Sequence, residues 1–140
     1  MEDQRTGDRR QETGDRQPVM RRGADIAEWL VSFAVAVVGV TTETPRTASG
    51  RHIASQLLRC ATSGGANYEE ARGAESRDDF VHKVSVASKE MRESVFWLEV
   101  INQSGWSKTD LASLIREARE LAAILGASAR TARSRGAKAD

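Results

Sequence analysis

Cysteine occurs once in this 140-residue sequence, at Cys60, and proline only twice, at Pro18 and Pro45. A lone cysteine rules out an intrachain disulfide and a zinc site of the usual four-ligand thiol kind, and it suits a reducing, cytoplasmic setting. Scarce proline favours long helices over a strand-and-turn fold. An excess of either charge is also missing, since 21 Lys and Arg face 20 Asp and Glu. The balance is uneven along the chain. Residues 1–23 carry six bases against five acids, residues 24–126 eleven against fourteen, and residues 127–140 four against one. The central portion is therefore net acidic, unlike a strongly basic nucleic-acid-binding domain. The start of the chain has no apolar stretch of the kind a secretory signal needs. The most apolar run, Trp29 to Val40, is interrupted by Ser32 and Gly39. At about a dozen residues it falls short of the roughly 20 that span a bilayer, so no membrane contact is expected.

The length suits one domain with a real core. Residues 1–23 contain Thr-Gly-Asp-Arg twice, at Thr6–Arg9 and Thr13–Arg16, among few apolar side chains. This segment is expected to be disordered, because it cannot bury enough surface to balance its ordering entropy. Met20 is an alternative start of translation, which N-terminal mass measurement on native protein distinguishes. From Asp25, Ile26, Trp29, Leu30, Phe33, Val37 and Val40 recur at helical spacing. Val31, Val35 and Val38 lie off that stripe, so the helix is apolar nearly all round and needs a second partner surface, for which self-association is the economical explanation. Pro45 marks a loop. A second helix is predicted from Ser49 or Gly50 to Arg72, with Ile53, Leu57, Cys60 or Ala61, Gly64, Tyr68 and Ala71 inward and Gly73 as its C-cap. Gly64-Gly65 costs about 1 kcal/mol per glycine relative to alanine, which implies close approach of a neighbour or a local bend.

Ser76-Arg77-Asp78-Asp79 has capping-box spacing and opens a third helix to about Ser104, with Phe80, Val84, Ala87, Met91, Val95 or Ser94, Leu98 and Ile101 as its seam. Gly105 ends it. Ser107-Lys108-Thr109-Asp110 repeats that spacing before a fourth helix striped by Leu111, Leu114, Ile115, Ala118, Leu121, Ala122 and Leu125, with Gly126 as the expected cap and some fraying into residues 127–133. Residues 127–140 then form a basic, mobile tail. Four helices with short connections give an all-α, antiparallel up-down-up-down four-helix bundle over residues 24–126.

Chemistry is sparse. Asn67 and Glu70 on helix two could face Glu90 and Glu93 on helix three. Facing carboxylates can serve as a general acid/base pair or hold metal. A di-metal bundle, however, needs Glu-x-x-His on two helices, and only Asp79-x-x-His82 resembles it. The favoured reading is a structural polar network of Asn67, Glu70, Glu90, Arg92 and Glu93, with Arg59, Arg92 or Lys89 as cationic partners setting helix register. His52 and His82 have no nucleophile and acid arranged around them, Cys60 lies on a core line, and Gly64-Gly65 lacks the strand and Lys-Ser/Thr of a phosphate loop. No catalytic residue, metal or cofactor is expected. Candidate phosphate contacts are Arg46, Arg51, Arg59, Arg72, Arg130, Arg133, Arg135 and Lys138, a patch that ring assembly would multiply by avidity.

The runs from Gly50 to Arg59 and Ser63 to Ala71, then Asp79 to Ser85 and Lys89 to Leu98, resemble the bacterial four-helix bundle proteins encoded in intervening sequences of 23S ribosomal RNA genes. Gln56-x-x-Arg59, Asn67-x-x-Glu70, Phe80 and the Glu90–Leu98 segment carry most of the resemblance, which covers residues 24–126. Gly64-Gly65 stands where the broader family more often has Ile-Pro. The resemblance implies a cytoplasmic homopentameric ring with no known enzymatic activity. A similar bundle, the accessory variability protein of diversity-generating retroelements, is a basic pentamer that binds nucleic acid and a reverse transcriptase. Two functions are therefore carried forward: association with RNA or DNA or with the ribosome, and protein-directed scaffolding or assembly without nucleic acid.

Overall fold

The computed structural model describes residues 23–139, with side chains through Ala137; the Thr-Gly-Asp-Arg repeat and the segment expected to be disordered lie outside the described residues. Four helices follow one another, α1 (Gly23–Thr41), α2 (Ala48–Arg72), α3 (Arg77–Gln103) and α4 (Ala112–Ala139). They form an antiparallel bundle in which α3 packs broadly on both α2 and α4, and α1 rests mainly on α2.

Each helix buries the stripe its periodicity marks. Leu30, Phe33 and Val37 of α1 meet Leu57, Cys60 and Ala61 of α2, Val84, Met91 and Leu98 of α3, and Leu121 and Leu125 of α4 in one core. Where the seam of α3 left two candidates, Ser94 is fully buried and Val95 only partly. The Ser94 hydroxyl is satisfied by donating to Glu90 O (2.9 Å), with the Cys60 sulfur 3.2 Å from its oxygen as an alternative partner. Burial pushes the Cys60 thiol up in pKa, which keeps it protonated and poorly nucleophilic.

The helix ends follow local chemistry. Thr47 caps α2 by accepting from Gly50 N, and Ser76 caps α3 by accepting from Asp79 N, both at 3.1 Å. Gly105 closes α3 with φ of 69°, a left-handed conformation that favours glycine. The second capping box does not form. The Ser107 hydroxyl donates instead to Glu43 Oε2 at 2.8 Å, tying two loops at one end of the bundle, and Asp110 Oδ1 accepts from Ala112 N at the start of α4.

The glycines inside α2 and α4 sit there for different reasons. A Cβ at Gly64 would lie 2.2 Å from Met91 Cε, so the side chain of α3 fills the space, and α2 continues as helix through the pair. A Cβ at Gly65 would meet Leu30 Cβ at an ordinary 3.6 Å. Gly65→Ala is therefore expected to raise stability by about 0.5–1 kcal/mol, read as a higher urea midpoint at unchanged slope; a lower midpoint would mean that α1 and α2 already touch at their limit there. Gly126 is not a cap. The helix runs past it to Ala139, and a Cβ there would come 3.3 Å from Ser88 Oγ of α3, which donates to Ala122 O. The predicted tail is thus helix through Ala139: Ala129 is buried and Ala132 and Gly136 are partly buried, a small-residue stripe on the bundle side. Gly136 packs under the Arg77 side chain of α3.

α1 also differs from expectation. Its 19 residues are long and apolar enough, by length and composition, to cross a membrane, which a run counted only from Trp29 to Val40 understates. One side of it is committed to the core, and Trp29 Nε1 donates to Glu117 Oε1 of α4 at 2.8 Å. The other side stays open, with Val31 60%, Val35 65% and Val38 49% exposed.

Candidate nucleic-acid interface

The acids of α2 and α3 are held by two cations rather than gathered into one network. Arg59 of α2 reaches Glu90 Oε2 through Nη1 at 3.3 Å and Glu93 Oε2 through Nη2, while also facing Gln56 Oε1. The hydrogen bond that Arg59 donates to Glu93 raises the Arg59 pKa above its ordinary value, with the charges of Glu93 and Glu90 adding to it. Glu70 is taken separately by Lys83, whose pKa is likewise raised by that bond. Asn67 turns away and donates to Ser63 O of its own helix at 2.9 Å. Arg92 and Lys89 make no ion pair among the described residues. The network read from the sequence is therefore two separate bridges, because Arg59 and Lys83 take the acids across the α2–α3 contact while Arg92 lines the α3–α4 side. Both bridges lie at the surface, where solvent screening leaves such pairs little net stabilisation. They orient the helices more than they stabilise them. Among the described residues no group of three or more His, Cys, Asp and Glu side chains could hold a metal ion.

The arginines divide in the same way. Arg59 is occupied by Glu90 and Glu93, and Arg72 by Glu69 at 3.2 Å. Arg46 and Arg51 are exposed at the α1–α2 turn, whereas Arg130, Arg133 and Arg135 are exposed on the last turns of α4, at the opposite end. The 25 residues of α2 set these ends about 37 Å apart. The predicted residues thus do not form one patch. The side chain of Lys138 lies outside the described residues.

Three arginines outside that prediction change the picture. Two surface depressions lie between α3 and α4. Ser76, Arg77, Asp78, Val81, Arg133, Gly136 and Ala137 line one, and Arg92, Val95, Arg119, Ala122 and Ala123 line the other. Arg130 bridges the interval, since its Nη1 would stand 3.4 Å from a Cβ at Gly126, beside Ser88. Arg119 Nη2 pairs with Glu99 at 3.0 Å; Arg77, Arg92, Arg130 and Arg133 have no ion pair among the described residues. The sequence held the signal. At 3.6 residues per turn Arg119, Arg130 and Arg133 fall within about 60° of one another, but only on a helix that passes Gly126.

A small all-α bundle with basic residues along one inter-helix groove, and without an assembled catalytic or metal cluster among the described residues, is the class of protein these features define. Residues 24–127 match the model of the 23S rRNA-intervening sequence protein family, and the chain belongs to that family. A crystal structure of a protein of unknown function from the S23 ribosomal protein family of Bacteroides thetaiotaomicron is similar, with 28% sequence identity, a TM-score of 0.69, and coverage of 77% of this chain and 97% of that one. None of the curated proteins matches.

Proposed function

We propose that this chain is a cytoplasmic, non-catalytic bundle that self-associates, most economically as a homopentameric ring, and binds RNA or DNA through its arginines. The observation that carries the nucleic-acid reading is the set of guanidinium groups without an ion pair among the described residues, Arg77, Arg92, Arg130 and Arg133, on one side of a domain whose acids Glu70, Glu90 and Glu93 are engaged by Lys83 and Arg59. Phosphate oxygens are the natural partners of such groups. Family membership and the likeness to an S23 ribosomal family protein favour an RNA-related setting.

Self-association is supported by the open valine face of α1. A second copy of the chain suits that face better than a bilayer does, because membrane insertion would withdraw Phe33 and Val37 from the core. A ring would align several grooves and convert weak individual contacts into avid binding.

The test is a titration of purified protein with labelled single-stranded RNA over a range of salt. Binding is expected to weaken linearly in log K against log salt, with a slope of about −0.7 per phosphate contact. Replacing Arg130 and Arg133 by glutamine should lower the slope by about one to two. Absence of binding to any nucleic acid at low salt would leave the protein-directed assembly factor as the surviving function.

A further inference from the structure

The two α3–α4 depressions lie along the same helix pair, with the close contact of Ser88 on Ala122 and Gly126 between them. Arg77 and Arg133 stand at one end, Arg130 lies over Gly126 in the middle, and Arg92 with Arg119 stands at the other. Between Arg77 and Arg92 the groove follows α3 for about 22 Å. Among the described residues that line the depressions or pair with their arginines, Asp78 and Glu99, the latter through its pair with Arg119, are the acidic ones. Between the arginines the depressions are lined by Ala122, Ala123, Gly136 and Ala137 together with Val81 and Val95, with Ser88 and Gly126 in the contact between them, so a chain laid along them meets short and β-branched side chains.

Packed helices stand about 8–10 Å apart, which limits the width between their crests. A duplex cannot enter such a groove and would touch only its rim. A single strand can lie in it. Phe96 adds a second, independent feature. It is 57% exposed, one helical turn beyond Arg92 on the outer side of α3, and it is braced edge-on by Trp97 at a centroid distance of 4.9 Å. An exposed aromatic ring held from behind, next to an unpaired arginine, is the pairing that stacks a base while its phosphate is bound.

We propose that the α3–α4 groove is a track for one strand of nucleic acid, with phosphates on Arg77, Arg133, Arg130 and Arg92 and a base stacked on Phe96. This inference rests on the nucleic-acid reading above and narrows it to single strands.

The experiment measures anisotropy of a labelled single-stranded RNA and of its duplex with the full chain at fixed salt, for the wild type and for Phe96→Ala, Phe96→Tyr and Arg92→Gln. Circular dichroism verifies that each variant remains helical. The single strand is expected to bind at least about tenfold more tightly than the duplex. Phe96→Ala should lose about fivefold or more with an unchanged salt slope, Phe96→Tyr should retain affinity, and Arg92→Gln should reduce the slope by about 0.7. Equal binding of duplex and single strand, with Phe96→Ala at wild-type affinity, overturns the track while leaving salt-dependent nucleic-acid binding intact. No binding of either probe at low salt overturns both readings.

Discussion

Replacing Val31 and Val35 together by glutamate is expected to abolish the self-association proposed for the open face of α1, leaving a monomer with its helix content unchanged. Both side chains are mostly exposed in the isolated bundle, at 60% and 65%, so the substitution removes nothing from the core and introduces no clash within the chain. In an assembly the same positions are covered. Two carboxylates would then lose water without gaining a partner, and an uncompensated buried charge costs about 3–5 kcal/mol. A contact between subunits of ordinary strength does not survive that. Size-exclusion chromatography at several concentrations reads the outcome, and an unchanged elution volume would place the subunit contact elsewhere on the bundle. The prediction depends on the period of α1. Val31, Val35 and Val38 stand opposite Leu30, Phe33 and Val37, so the two faces can be altered separately.

The second large effect concerns Gly50, near the start of α2. Thr47 caps this helix and accepts from Gly50 N, which draws the Pro45–Thr47 turn tightly over the first helical residues. A Cβ at position 50 would stand 2.0 Å from Pro45 O and 2.9 Å from Pro45 C. These are backbone atoms of a proline, with no rotamer to change. Gly50→Ala therefore has to displace the turn or break the cap, and a loss of about 2–4 kcal/mol is expected, despite the higher intrinsic helix propensity of alanine. Gly65→Ala serves as its control, since the same exchange in the same helix has room there and should stabilise. If the two variants shifted the thermal midpoint alike, the distinction between a packing glycine and a tolerated one would fail.

Much of this architecture is legible in the sequence because a helix with one buried face repeats every 3.6 residues. Leu111, Leu114, Ile115, Ala118, Leu121 and Leu125 are all buried as their spacing predicts, and the valines off the α1 stripe are exposed. Ser76 and Gly105 mark real helix ends because caps act within a few residues of chain. Gly126 misleads for the same reason in reverse. A glycine that caps and a glycine that admits a neighbour look identical along the chain, and the deciding atom, Ser88 Oγ, belongs to another helix. Ser107 misleads because its partner, Glu43, comes from a different loop.

The interface was less legible than the fold. Arginines are easily counted, but their availability depends on which acids the packing brings near. Arg59 is claimed by two carboxylates of α3 and Arg72 by Glu69, while Arg92, assigned to the polar network on sequence grounds, faces the groove on the α4 side. Ending α4 at Gly126 separated Arg130 and Arg133 from the bundle and hid the flank they share with Arg119. The groove becomes visible only once α3 and α4 lie side by side along their full length.

Assembly and nucleic-acid binding can be read together by sedimentation velocity of the full chain with a labelled single-stranded RNA, monitored at the wavelength of the label. The label is expected to travel with a protein species several times the 15.3 kDa of one chain, near five times for a pentamer, and to be released as salt is raised. A chain that sediments at its monomer mass, with the label remaining free at low salt, would contradict the account.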